Sequence, residues 1–83
     1  MIEQQLREET EKWLNKIKEK RKLVMLNDTS QEGYLRNMDA YISDSQHFLE
    51  KGDLIQSFEA VIWSWAMLEL GLQLNILKTG QHS

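Results

Sequence analysis

The sequence predicts an all-α fold, a three-helix up-and-down antiparallel bundle in a single domain spanning residues 1–83. The chain has no proline and only four glycines, so little interrupts helix formation. Apolar residues recur every three or four positions, which fits the period of a helix and not that of a strand. Short connections between helices of similar length favour antiparallel neighbours. The alternative is a hairpin of the second and third helices, with the first helix swapped onto a partner molecule.

The first helix is predicted over about residues 2–25. Its acids precede its bases along the chain, an order that favours the helix dipole at both ends. Its apolar side is narrow and consists of Ile2, Leu6, Trp13, Ile17 and Val24, with Leu14 at the edge. This helix therefore offers only a thin stripe for packing.

The second helix is predicted over about residues 30–51. Thr29 and Glu32 fit a capping box, in which each side chain satisfies a free backbone amide. Gly52 suits the left-handed conformation that ends a helix, and Asp53 suits the first cap of the next one. The pair therefore predicts a tight hairpin between the second and third helices.

The third helix is predicted over about residues 54–78, followed by a tail at 79–83, and it carries two apolar stripes on opposite sides. The first stripe comprises Leu54, Phe58, Val61, Trp65, Leu68 and Leu72. The second stripe comprises Trp63, Met67, Leu70, Leu74 and Leu77. One small bundle buries only one such stripe, and we expect it to be the first.

An exposed second stripe would exceed the apolar patches that soluble monomers usually show. Tryptophan and methionine are also favoured at interfaces. We therefore predict a non-catalytic interaction module that self-associates, with a homodimer favoured, or that docks a helix of a partner protein. The alternative is that the first helix covers this stripe and makes it core.

The segment from Tyr41 to Gly71 carries a recognisable pattern, which covers about the last half of the chain. It consists of an acid-rich helix, a Gly-Asp turn and then small, aromatic, leucine and acidic positions: Gly52, Asp53, Ala60, Trp63, Trp65, Leu68, Glu69 and Gly71. This pattern resembles an archaeal family of small helical proteins, domain of unknown function 357. Met67 stands where an aromatic residue is expected, and Glu69 where Asp is expected. The resemblance implies a compact three-helix bundle and brings no catalytic residue with it.

One basic block supplies the second functional hypothesis. From Lys12 to Lys22 the chain has six bases and one acid, and the block comprises Lys16, Lys18, Lys20, Arg21 and Lys22. Such a block is typical of contacts to a phosphate backbone, so the alternative function is an RNA- or polyanion-associated accessory protein. The block spreads around the helix, however, and no glycine-rich phosphate loop accompanies it. A solvated helix end explains it equally well.

No cluster of catalytic or metal-ligating residues emerges, so we predict no enzyme activity, cofactor or metal. Glu69 lies at the edge of the first stripe. A carboxylate buried there would have a raised pKa and could act as a general acid or base, but we interpret Glu69 as an acid at the boundary between core and solvent. Asp44 and His47 have metal-ligand spacing on a polar helix side, and His82 lies in the tail. Cysteine is absent, which excludes disulfides and thiolate sites.

The remaining composition narrows the class of protein. A net charge of −3 argues against a dedicated nucleic-acid protein. The polar, acidic start at Met1 shows no signal pattern, and no stretch approaches the length of a membrane span. We therefore expect a cytoplasmic protein without a membrane partner, and the sequence shows no site for a small-molecule substrate.

Overall fold

Three helices form the body of the computed structural model, whose described residues are 1–80. They are α1 (Ile2–Arg21), α2 (Glu32–Glu50) and α3 (Leu54–Gln73). The all-α three-helix prediction is confirmed. Two short strands that the sequence did not predict, β1 (Val24–Leu26) and β2 (Leu77–Thr79), pair antiparallel beside the helices.

Helix α1 packs against both other helices of its own chain. The indole N–H of Trp65 donates to the backbone oxygen of Trp13 at 3.1 Å, which ties α3 to α1. Lys18 Nζ donates to Gln46 Oε1 at 2.6 Å and ties α1 to α2. In this single chain the first helix therefore packs in cis.

The hairpin between α2 and α3 forms where the sequence predicts it. Gly52 has a φ of 82°, in the left-handed region that glycine tolerates best. Asp53 Oδ1 accepts a hydrogen bond from the backbone N–H of Gln56 at 3.2 Å and caps α3. Both expectations are confirmed.

The start of α2 differs from the predicted capping box. Thr29 lies inside a short 3₁₀ turn, Thr29–Gln31, that precedes the helix. The cap of this turn is Asp28, whose Oδ1 accepts from the Ser30 N–H at 2.9 Å. The capping box was wrong because an acceptor one residue earlier satisfies the first free amide.

The predicted end of α3 at residue 78 was wrong, because the helix stops at Gln73. Asn75 adopts a φ of 62°, and the N–H of Ile76 donates to the Gly71 oxygen at 2.9 Å while the Asn75 N–H donates to Leu72 at 3.3 Å. These two bonds are the Schellman pattern that closes a helix. The chain then reverses into β2.

The predicted end of α1 at residue 25 was wrong for a related reason. The helix ends at Arg21, and Val24–Leu26 forms β1 instead. Cα partners across the two strands are Val24 with Thr79, Met25 with Lys78 and Leu26 with Leu77. The side chain of Asn27 also donates to the Asn75 oxygen at 2.8 Å, which fixes the turn after α3 against the turn after β1.

The core lies between the three helices and the inner side of the sheet. Its buried members are Leu14, Ile17, Val24, Met38, Leu49, Val61, Leu68 and Leu77. Ser45 and Ser57, both fully buried, bond reciprocally across α2 and α3: each hydroxyl donates to the other's backbone oxygen, at 2.8 and 2.7 Å. Ile2, placed on the packing stripe from sequence, is instead exposed.

Candidate interaction surface on the third helix

The first apolar stripe of α3 packs into the protein, as predicted. Val61 and Leu68 are buried, and the other members, Leu54, Phe58, Trp65 and Leu72, are partly buried against the same core. Burial of this stripe gives α3 its orientation. It also fixes which side of the helix is left for solvent.

The second stripe divides between surface and core. Trp63, Leu70 and Leu74 are 59%, 51% and 64% exposed, whereas Met67 is half-buried. Leu77 is only 1% exposed, so placing it on an exposed stripe was wrong. The reason is the early end of α3: an unbroken helix would carry Leu77 outward, but the turn at Asn75 directs it into the core.

Sequence reasoning missed two members of this surface. Ile55 and Ile62 are 67% and 45% exposed on the solvent side of α3. They are seven residues apart, so an ideal helix places them within one narrow arc together with Ala66. The same arc extends to Trp63 and Leu70. The outer face of α3 is therefore the set Ile55, Ile62, Trp63, Ala66, Leu70 and Leu74.

Two tyrosines of α2 support this face from one side. The rings of Tyr41 and Trp63 stack with centroids 6.2 Å apart and an interplanar angle of 20°. Tyr34 Oη donates to the Met67 oxygen at 2.6 Å, and burial raises the pKa of this phenol above its ordinary value. Trp63 is thus held in place while half of its surface faces solvent.

Three of the five residues of the basic block are engaged within the chain. Arg21 bonds Asp39 through Nε at 2.6 Å and Nη2 at 3.0 Å, and this contact raises the pKa of the guanidinium. Lys22 Nζ lies 3.3 Å from Glu19 Oε2, and Lys18 bonds Gln46. Lys16 and Lys20 lie on another side of α1, so the block does not form one continuous stripe. Polyanion binding stays a prediction.

The acidic and histidine candidates lie on the surface. Glu69, Asp44 and His47 are all exposed, so Glu69 is not the buried carboxylate that acid–base chemistry would need. Within residues 1–80, no three His, Cys, Asp or Glu side chains lie close enough to hold a metal ion. His82 lies outside the described residues.

A groove on the other flank of α3 was not foreseen from sequence. It has a volume of about 540 Å³ and is lined by Trp13, Asn15, Lys16, Glu19, Lys20, Leu23 and Trp65. The rings of Trp13 and Trp65 meet edge to face at 5.5 Å. Trp13 Nε1 donates to Glu9 Oε1 at 3.0 Å, and this bond, with help from Lys12, lowers the pKa of the Glu9 carboxyl.

Comparisons with known proteins place this chain in a family of unknown function and beside a solved archaeal structure. Residues 7–77 match the family model described as "Protein of unknown function (DUF357)". A crystal structure of a DUF357 protein from Archaeoglobus fulgidus matches with a TM-score of 0.88 and 49% identity, covering 95% of this chain and 99% of that one. No curated protein matches the chain. None of the described helices is long and apolar enough to cross a bilayer.

Proposed function

Because the chain belongs to DUF357, a family of unknown function, we propose a function from its surface: a non-catalytic helical interaction module that forms a homodimer through the outer face of α3. The observation that carries the proposal is the exposure of five large apolar side chains on one side of a single helix. They are Ile55, Ile62, Trp63, Leu70 and Leu74. A soluble monomer rarely exposes so many large apolar side chains on one side of a helix, and such a surface usually marks a contact with a partner.

The pattern of this face favours a second copy of the same chain. Ala66 lies near its centre, with Ile62 four residues before it and Leu70 four residues after it. If two α3 helices cross antiparallel about a two-fold axis at Ala66, Ile62 of each copy meets Leu70 of the other. A two-fold interface requires such self-complementarity, because the same patch serves both subunits. The small side chain of Ala66 also permits close approach at the crossing.

Two polar residues within the face, Glu59 and Gln73, fit the same symmetry. Glu59 and Gln73 are equally spaced on the two sides of Ala66. Antiparallel crossing places the carboxylate of Glu59 opposite the amide of Gln73 from the other copy, which donates hydrogen bonds to it. A parallel pair would instead set Glu59 against Glu59, and like charges repel.

Trp63 provides a large anchor for this contact. Tryptophan is enriched among the residues that carry most of the binding free energy at interfaces. Because Trp63 is already stacked on Tyr41, its ring loses little conformational freedom on association.

The test is the oligomeric state of wild type and Leu70→Glu, measured by sedimentation equilibrium over a range of concentrations. We expect a dimer for wild type and a folded monomer for Leu70→Glu, since a carboxylate would be buried unpaired at the centre of the contact. Leu70 is half-exposed, so the free energy of unfolding of the monomer should change by less than about 0.5 kcal/mol. Leu74→Lys provides a second variant if Leu70→Glu fails to fold.

Leu23→Glu is the matched control, since Leu23 is also about half-exposed but lies in the groove beside α1. It should remain dimeric. A wild-type chain that is monomeric at all concentrations would refute the homodimer, as would a dimer that only Leu23→Glu dissociates.

A further inference from the structure

The groove between α1 and α3 has the features of a ligand site, and none of its lining residues belongs to the outer face of α3. We infer that it binds a small amphipathic anion, with an apolar and preferably aromatic body and one carboxylate, sulfonate or phosphate group. The inference stands independently of the proposed homodimer. Its volume of about 540 Å³ lies within the ordinary range for small-molecule sites.

The floor of the groove is apolar and fixed. Trp13 and Trp65 meet edge to face with an interplanar angle of 87°, and Leu23 lies beside them. Both indole N–H groups are used inside the protein, by Glu9 Oε1 at 3.0 Å and by the Trp13 oxygen at 3.1 Å. The rings therefore present apolar surface to a ligand rather than hydrogen-bond donors, and they are held in position before binding.

The rim of the groove carries the charge that selects an anion. Lys16 Nζ lies 5.2 Å from the centroid of the Trp13 ring, at the edge of the apolar floor. Within residues 1–80 neither Lys16 nor Lys20 forms an ion pair, whereas the carboxylate of Glu19, on the same rim, is 3.3 Å from Lys22 Nζ. Neither ammonium group is thus held in an ion pair within these residues, and an anionic head group at the rim could pair with both.

The same observations favour a small ligand over a nucleic acid. Backbone binding of nucleic acids uses a run of available cations, but Lys18 and Arg21 of this block are already bonded to Gln46 and Asp39. The two cations that remain flank an open apolar surface formed mainly by Trp13, Leu23 and Trp65. This combination suits one head group attached to one apolar body.

Two fluorescent probes that share a ring system test the inference. They are 8-anilinonaphthalene-1-sulfonate, an anion, and N-phenyl-1-naphthylamine, which lacks the sulfonate. We expect one sulfonate probe per chain, bound about tenfold more tightly than the neutral probe, with energy transfer from the tryptophans. Competition by 1-naphthoate and by octanoate then distinguishes aromatic from aliphatic ligands.

Substitutions in the groove test whether the probes bind there. Lys16→Gln combined with Lys20→Gln should weaken the sulfonate probe about tenfold and leave the neutral probe within about twofold. Leu23→Gln should weaken both probes, because it removes apolar contact and leaves the charge unchanged. The matched control is Arg36→Gln on α2 combined with Lys51→Gln directly after it, which removes the same charge elsewhere and should change neither affinity.

Four results would overturn the inference. Equal affinities for the two probes would show that the lysines do not select an anion. An equal loss in the control pair would assign the effect to net charge. Loss of binding in Leu70→Glu, with the lysine variants unaffected, would place the probe on the outer face of α3. If an oligonucleotide binds through Lys16 and Lys20 while the protein binds the two probes with equal affinity, these lysines belong to a nucleic-acid site instead.

Discussion

Gly71→Ala distinguishes the observed fold from a continuous third helix. The observed fold predicts a loss in the free energy of unfolding relative to an ordinary glycine-to-alanine change in a helix, and a continuous helix predicts none. A Cβ on Gly71 would lie 2.7 Å from Leu77 Cδ1, 2.8 Å from Leu77 Cγ and 3.0 Å from Tyr34 Cε1. Neither neighbour moves away freely, since Leu77 is buried and Tyr34 is bonded to the Met67 oxygen at 2.6 Å. If α3 continued to residue 78, Leu77 would be far from this position and alanine would simply be the better helix former.

The expected change in the free energy of unfolding for Gly71→Ala is the sum of two opposing contributions. Alanine in place of glycine inside a helix stabilises by about 1 kcal/mol. Overpacking a core by one methyl group costs about 1–3 kcal/mol. Gly33→Ala supplies the first contribution alone, since no atom lies within 4 Å of the added Cβ, but less than its full value because Gly33 is the second residue of α2. We expect Gly71→Ala to have a free energy of unfolding lower than that of Gly33→Ala by about 1–3 kcal/mol.

Urea denaturation monitored by circular dichroism measures this difference, and each kcal/mol corresponds to a shift of about 4–8 °C in Tm for a domain of this size. Adding Leu77→Ala to both variants completes the comparison. Leu77→Ala alone should cost about 2–5 kcal/mol, and in its presence most of the penalty at Gly71 should disappear. If Gly71→Ala is as stable as Gly33→Ala, the packing of β2 against α3 is refuted.

Three further predictions concern the turn, the buried serines and Tyr34. Asn75→Ala should lower the free energy of unfolding by about 1 kcal/mol because alanine is strained at positive φ, whereas Asn75→Gly should not, as thermal unfolding will show. Ser57→Ala should cost about 1–3 kcal/mol by urea denaturation, since it deletes a fully buried hydrogen bond to Ser45; an unchanged stability would contradict that role. Burial raises the pKa of Tyr34, so its neutral form stabilises the fold fully below the ordinary tyrosine pKa near 10. That contribution should be lost as pH rises through the folded pKa. The free energy of unfolding of Tyr34→Phe should fall less steeply than that of wild type over that pH range. Parallel curves for the two proteins would argue against a contribution from Tyr34.

Local signals in the sequence predicted the hairpin between α2 and α3 in detail. Gly52 and Asp53 work through their own backbone and side chain, so neighbouring residues suffice to specify them. The first stripe of α3 was also predictable, because a row of large apolar residues at helical spacing has to be buried wherever the helix packs. For the same reason Trp63 and Leu70, on the other side of that helix, could be expected at the surface.

The errors occurred where distant residues compete with helix propensity. Nothing near Leu77 in the chain prevents a helix, and Asn75 alone is a weak signal for its end. What decides the boundary is the pairing of β2 with β1, about fifty residues away, together with the bonds from Asn27 to the turn. The Trp13–Trp65 groove was missed for a similar reason, since its floor comes from two helices and its charge selection depends on which lysines are bonded elsewhere.

The sequence by itself thus determined three helices, a tight hairpin and a third helix with more apolar surface than one bundle can bury, because these follow from periodicity and local backbone preferences. Only the tertiary structure decided that Leu77 is core and Ile62 is surface, and that Lys16 and Lys20 stand beside an apolar groove without an ion pair to any residue in 1–80. Those outcomes depend on contacts between segments far apart in the chain, whose free energies exceed the local preferences that a sequence displays.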